Sequence, residues 1–287
     1  MNALLEDRRA MKTAGLLVVA SLLLGCSDDA DAPGTATITT WGEAFIEQGI
    51  PAEELADGWS VRFEEFLVVL GPVYLRRGGE VASLDGSQLI DLVQAGPHTL
   101  GTLELAPGSW DDVGYALAPA SDDTRAHASA TAEQLAAMQT GPYSVRVRGR
   151  ATHAEVTKTF DWAFATAVNH SRCEGASGGR AIPGVELAAG GAQEVELTIH
   201  GDHLFYDDLV AEAPDLRFAT LAEADDAGDA DGAIDLEELA SVSLSSVSEG
   251  PYGTGNADVD QLAEFLEAQV ATLGHFQGEG HCDVERQ

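Results

Sequence analysis

Two groups of side chains in this 287-residue chain have the types and spacing that hold metal ions. In the first, Asp226, Asp229, Asp231, the Ala233 carbonyl, Asp235 and Glu238 surround Gly232 in one short loop. A hard cation such as calcium needs several oxygens converging from one segment, and a glycine lets the backbone double back between them. In the second, His200 and His203 stand three residues apart, and His275 and His281 lie close to the C-terminus. Imidazole suits the borderline ions zinc and copper, so four histidines in two glycine-containing segments are a candidate transition-metal set. None of these spacings is specific, and the alternative role is polar packing where sheet meets helix. His98, His127, His153 and His170 are scattered and default to surface or hydrogen-bonding roles.

The acidic loop resembles that of an EF-hand, with Gly232 at the sharp turn, Ile234 as the short strand residue and Glu238 as the closing bidentate ligand. It departs at the first ligand: Ala227 stands where the spacing asks for Asp, and Asp226 lies one residue too early. Either an extra residue lets Asp226 fold in, or the loop has lost a ligand and caps two helices. Leu216, Phe218 and Leu221 before the loop, with Leu236 and Leu239 after it, sit where an EF pair of helices carries apolar residues, which supports the first view. A second loop over 256–267 fails because Gln261 stands where glycine is needed, and Asn256 or Asp258 is expected to cap a helix there. A lone loop of this kind implies structural calcium and not a calcium switch.

The start of the chain reads as an export signal over 1–25. Arg8, Arg9 and Lys12 precede an apolar run that is broken only by Ser21 and is too short to span a bilayer. Glu6 and Asp7 fit a basic leader poorly, so Met11 is the expected translation start. Leu23, Leu24, Gly25 and Cys26 resemble the lipobox of bacterial lipoproteins, in which the cysteine receives diacylglycerol and acyl chains such as palmitate. The resemblance implies that membrane lipid is a partner through acylated Cys26, on the outer side of a bacterial membrane. Ser27 after the cysteine resembles an outer-membrane sorting signal, and 26–40 reads as the lipidated cysteine with a flexible tether.

Forty-eight acidic residues against 15 basic ones give a net charge of −33, which repels phosphate backbones and makes nucleic acid the least expected partner. Beyond Cys26 the only cysteines are Cys173 and Cys282, which in an oxidising compartment are expected to pair. From 41 to 204 the chain reads as short strands, at 60–67, 68–75, 80–84, 98–105, 112–118, 143–150, 153–164 and 194–200. Val145 and Val147 against Arg146 and Arg148 show the alternation of a sheet that is wet on one face. Two short helical pieces interrupt it, a turn at 50–56 and a helix at 131–138 capped by Thr131. From 205 to 287 the texture turns helical, at 215–224, 236–244 and 258–273. The expected fold is mainly β: an antiparallel β-sandwich with a C-terminal EF-hand-like helical segment stapled to it by the disulfide.

The segments at 41–51, 57–63, 96–102, 199–203 and 274–282 are similar to a family of uncharacterised bacterial lipoproteins, a likeness that brings no activity with it. The rhythm of 61–70, 91–92, 103–108 and 113–117 is also similar to prealbumin-like or immunoglobulin-like modules of bacterial surface lipoproteins, some of them copper-associated. A glycine-rich phosphate loop, a G-x-S-x-G elbow and a C-x-x-C pair are all absent from the sequence, so nothing nominates a nucleophile. The leading expectation is therefore a non-enzymatic, lipid-anchored, exported protein with structural calcium. The alternatives are a zinc or copper lipoprotein, which requires the four histidines to converge, and a lipid-anchored hydrolase, which requires a cleft with a polar cluster.

Overall fold

The computed structural model describes residues 30–177, 180–247 and 252–286, so the leader and Cys26 lie outside the described residues. No helix among the described residues is long and apolar enough to cross a membrane.

The fold is mainly β and is built on two principal sheets. The strand Val145–His153 shows why: Val145, Val147 and Ala151 are buried, while Arg148 and Arg150 point to solvent. It pairs antiparallel with Val156–Phe164 on one side and with the 18-residue strand Ser60–Arg77 on the other. On the wet face Arg146 meets Asp161 and Arg150 meets Glu64, exposed pairs that add little to stability. Asp112–Leu117 and Val168–Ser177 continue this sheet, and His281–Arg286 pairs with Val168–Ser177. The second sheet has four strands, in the order Gly274–Phe276, Ala192–Ile199, Gly34–Trp41 and His98–Leu105. Ile38, Val195 and Leu197 of that sheet share one core with Phe63, Phe66, Phe160 and Trp162 of the larger one.

Several expectations need correction. Residues 34–40, read as tether, belong to the strand Gly34–Trp41, which pairs in parallel with Ala192–Ile199. Its Gly, Ala and Thr content looks like a linker, but Ala36 and Ile38 are fully buried, so neighbours and not composition make it a strand. The expected strands 60–67 and 68–75 are one continuous strand with register shifts between Phe63 and Glu65 and between Leu70 and Val73. The segment 205–287 is only partly helical. Its helices are Ala219–Ala227, Leu236–Ser241 and Leu262–Val270, and Gly274–Phe276 and His281–Arg286 are strands, one in each sheet. The last helix starts after Gln261 and not after Asn256 or Asp258, with Glu264 Oε2 accepting the Asp260 and Gln261 amides. The helix Ala132–Thr140 has the expected Thr131 cap, extended to a reciprocal box with Gln134.

Cys173 and Cys282 form the expected disulfide across 109 residues. It joins Val168–Ser177 to His281–Arg286 and so fixes the chain beside His281.

Candidate metal centre

All four candidate histidines meet at one end of the small sheet. The strand Ala192–Ile199 runs straight into a 3₁₀ turn, Gly201–Phe205, with His200 at its cap. Residues three apart eclipse one another in a 3₁₀ turn, so His200 and His203 lie on the same side, with ring centroids 5.2 Å apart. Leu204 and Phe205 bury themselves in the core just beyond, which anchors the turn. His275 arrives from the neighbouring strand, where it pairs with Thr198, and its ring lies 4.3 Å from His200 and 5.0 Å from His203. A tight reversal between Phe276 and Gly280 returns the chain so that His281 lies 5.5 Å from His275.

Two overlapping sets result. His200, Asp202 and His203 offer ligand atoms that all lie within 4.8 Å of one another, and so do His200, His275 and Glu279. Ligand atoms around tetrahedral zinc stand roughly 3.4 Å apart, given bonds of about 2.0–2.1 Å, so a modest contraction closes either set on an ion.

The neighbours of the rings set their protons. His203 Nδ1 lies 3.1 Å from Thr272 Oγ1, and that hydroxyl donates to the Gln269 carbonyl at 2.8 Å. The threonine oxygen therefore accepts from His203 Nδ1–H, which leaves the Nε2 lone pair free for a metal. His200 Nδ1 faces Glu43 Oε2 at 3.5 Å, while its buried Nε2 has no hydrogen-bond partner. His275 Nδ1 is likewise buried and unpartnered. Unsatisfied buried nitrogens are costly, and a metal ion satisfies a lone pair with no donor.

Burial, reinforced by the neighbouring His200, pushes the His203 and His275 rings down to about 3, so both are neutral at physiological pH. Burial also raises the Asp202 and Glu43 carboxyls, with the facing His200 partly offsetting it. A divalent cation would offset the rise of the carboxyls and reinforce the neutrality of the imidazoles, favouring carboxylate and neutral imidazole together. Tyr206 donates to Asp202 Oδ2 at 3.2 Å and packs on His203, and its hydroxyl is raised by burial and by Asp202.

Sequence reasoning did not assign Asp202 or Glu279 to the histidine set, and it missed Glu43, Thr272, His170 and Tyr115 as parts of this centre. Glu43 holds φ at 56°, a left-handed conformation that costs a non-glycine residue roughly 1–2 kcal/mol, and it directs its carboxylate to His200. Thr272 orients His203. His170, only 1% exposed, stacks on Tyr115 at 4.3 Å with both ring nitrogens unpartnered, and burial lowers it to about 4. The Tyr115 hydroxyl donates to the His275 carbonyl, which ties that stack to the centre. Of the four missed, only Glu43 left any signal, as a carboxylate within the segment 41–51.

The acidic loop lies elsewhere, between the helices Ala219–Ala227 and Leu236–Ser241. Gly232 takes the expected turn with φ at 89°, and Ala233–Ile234 pairs with Thr159 and Phe160. The carboxylates brought within 4.8 Å of one another are those of Asp225, Asp229 and Asp231, so Asp225 and not Asp226 joins the group. Asp226 is exposed and lies 2.5 Å from Lys158 Nζ, which also bonds the fully buried Asp225. Several of the loop's oxygens are engaged by protein donors. Asp231 Oδ1 accepts the Ala233 amide, and Asp235 caps the second helix by accepting the Glu237 and Glu238 amides. Glu238 accepts the Asp229 amide on Oε1 and the Asp235 amide on Oε2.

No protein-family model, curated protein or solved structure matches this chain.

Proposed function

We propose that this protein binds a transition-metal ion, zinc or copper, through His200, His203 and His275, with Asp202, Glu279 and His281 close by. We read it as a lipid-anchored protein exported to a bacterial envelope, its two sheets forming the layers of a β-sandwich. The observation that carries the metal reading is the convergence of three imidazoles, two of which keep a buried ring nitrogen with no partner. The lowered His203 and His275 support it, because neutral imidazole is the ligand form. The anchor reading rests on Leu23 to Cys26 and the basic, apolar leader before them.

Calcium in the loop is the second reading, favoured by the helix–loop–helix form and by the clustering of Asp225, Asp229 and Asp231. It ranks below the histidine centre because Lys158 already supplies a cation to Asp225 and backbone amides hold Glu238.

The test is calorimetric titration of the chelator-treated protein, disulfide intact, with zinc, copper(II) and calcium in turn. Stoichiometric zinc or copper binding, lost in His200→Ala and His275→Ala, is the expected result. Calcium binding alone, lost in Asp225→Ala, would put the loop in its place.

A further inference from the structure

We propose that the ion held by these histidines keeps one coordination position open to an adjoining cavity, and that this position takes a small carboxylate with a short apolar tail. The inference rests on the metal reading above and adds a ligand to it.

The protein donors approach the centre unevenly. His200 and Asp202 are buried, and Glu43 lies against His200. His203, itself buried, lines a cavity of about 410 Å³ together with the less buried His275 and His281, within the roughly 300–1,000 Å³ usual for small-ligand sites. Metal sites that act on an outside molecule have this layout, with protein ligands on one side and an exchangeable position on the other.

The rest of the lining indicates the class of ligand. Leu209, Ala271 and Val284 make part of it apolar, and Arg286 adds a guanidinium. Arg286 Nη2 donates to the Ala268 carbonyl and forms no ion pair among the described residues, so most of its five N–H donors remain available. The lining also holds the Asp208 carboxylate, whose Oδ1 accepts the Val210 and Ala211 amides at 2.8 Å each. A metal ion, one guanidinium and apolar walls together suit an anionic head with a short hydrocarbon tail. In a chain of net charge −33 free anions are repelled at long range, so recognition of one depends on these local cations.

The experiment uses the cobalt(II)-loaded protein, whose visible bands report coordination number, titrated first with azide and then with butyrate. Saturable band shifts with both anions are expected, with butyrate affinity falling about ten-fold in Arg286→Gln while cobalt affinity stays unchanged. Cobalt binding with bands indifferent to both anions would mean a closed site and would overturn the inference while leaving the metal reading intact. A response to azide but not to butyrate would overturn the carboxylate assignment. Failure to bind cobalt, zinc or copper at all would remove the metal reading itself, and this inference with it.

Discussion

The Thr272 hydroxyl stands between two partners, accepting from His203 Nδ1 at 3.1 Å and donating to the Gln269 carbonyl at 2.8 Å. This relay holds the ring orientation and the tautomer that leaves Nε2 open. Thr272→Val keeps the shape but removes the acceptor. Zinc affinity, read by competition with a chromophoric chelator, is expected to fall about 10–100-fold. Unaltered affinity would show that the relay does not orient the ligand.

The metal-free protein is expected to lose stability in mild acid. His203 and His275 lie near 3 and His170 near 4 in the folded state, whereas the unfolded rings titrate near 6.5. Between those values the unfolded chain binds more protons, so stability falls as the pH drops from about 6.5 toward 3. Asp202 and Glu43, raised by burial, oppose this in part above their ordinary values of 3.8 and 4.5. Denaturant midpoints at pH 7.5, 6 and 5 check the sign, and a midpoint that rises toward pH 5 would contradict it.

Lys158 and Asp225 form a buried ion pair, with side chains 8% and 0% exposed. Removing one partner of such a pair leaves an uncompensated charge, so Lys158→Met is expected to cost about 3–5 kcal/mol. It also frees Asp225 beside Asp229 and Asp231. Added calcium should therefore raise the melting temperature of the variant more than that of the native protein, and equal shifts in a thermal scan would contradict that competition.

Gly274 sits against the Tyr115–His170 stack. A Cβ there would lie 2.4 Å from the Tyr115 hydroxyl and 2.5 Å from His170 Nε2, so the strand that carries His275 must shift to accept one. Gly274→Ala is expected to cost about 1–3 kcal/mol and to weaken zinc binding. Gly79→Ala, where nothing lies within 4 Å and φ is not positive, is the comparison that isolates the clash from the loss of a glycine as such. Equal zinc affinities in the two variants would show that the placement of His275 does not depend on the close approach at Gly274.

Much of the β character was legible because alternation in segments such as Val145–His153 is local and survives in any context. The pairing of Cys173 with Cys282 was legible because no other cysteine follows Cys26. The strand Gly34–Trp41 was not, since its small and polar residues are strand-forming only when two neighbours supply hydrogen bonds on either side.

By itself the sequence determined which atoms are able to bind a metal: four imidazoles in two short segments, and a run of carboxylates around Gly232. Tertiary structure alone decided which of them lie close together. A ring's tautomer and proton affinity depend on burial and on through-space neighbours: Thr272, from an element distant in the chain, faces His203 Nδ1, and Glu43 and His275 lie against His200. The same dependence holds at the acidic loop, where Lys158 reaches Asp225 from a strand that no spacing rule within the loop describes.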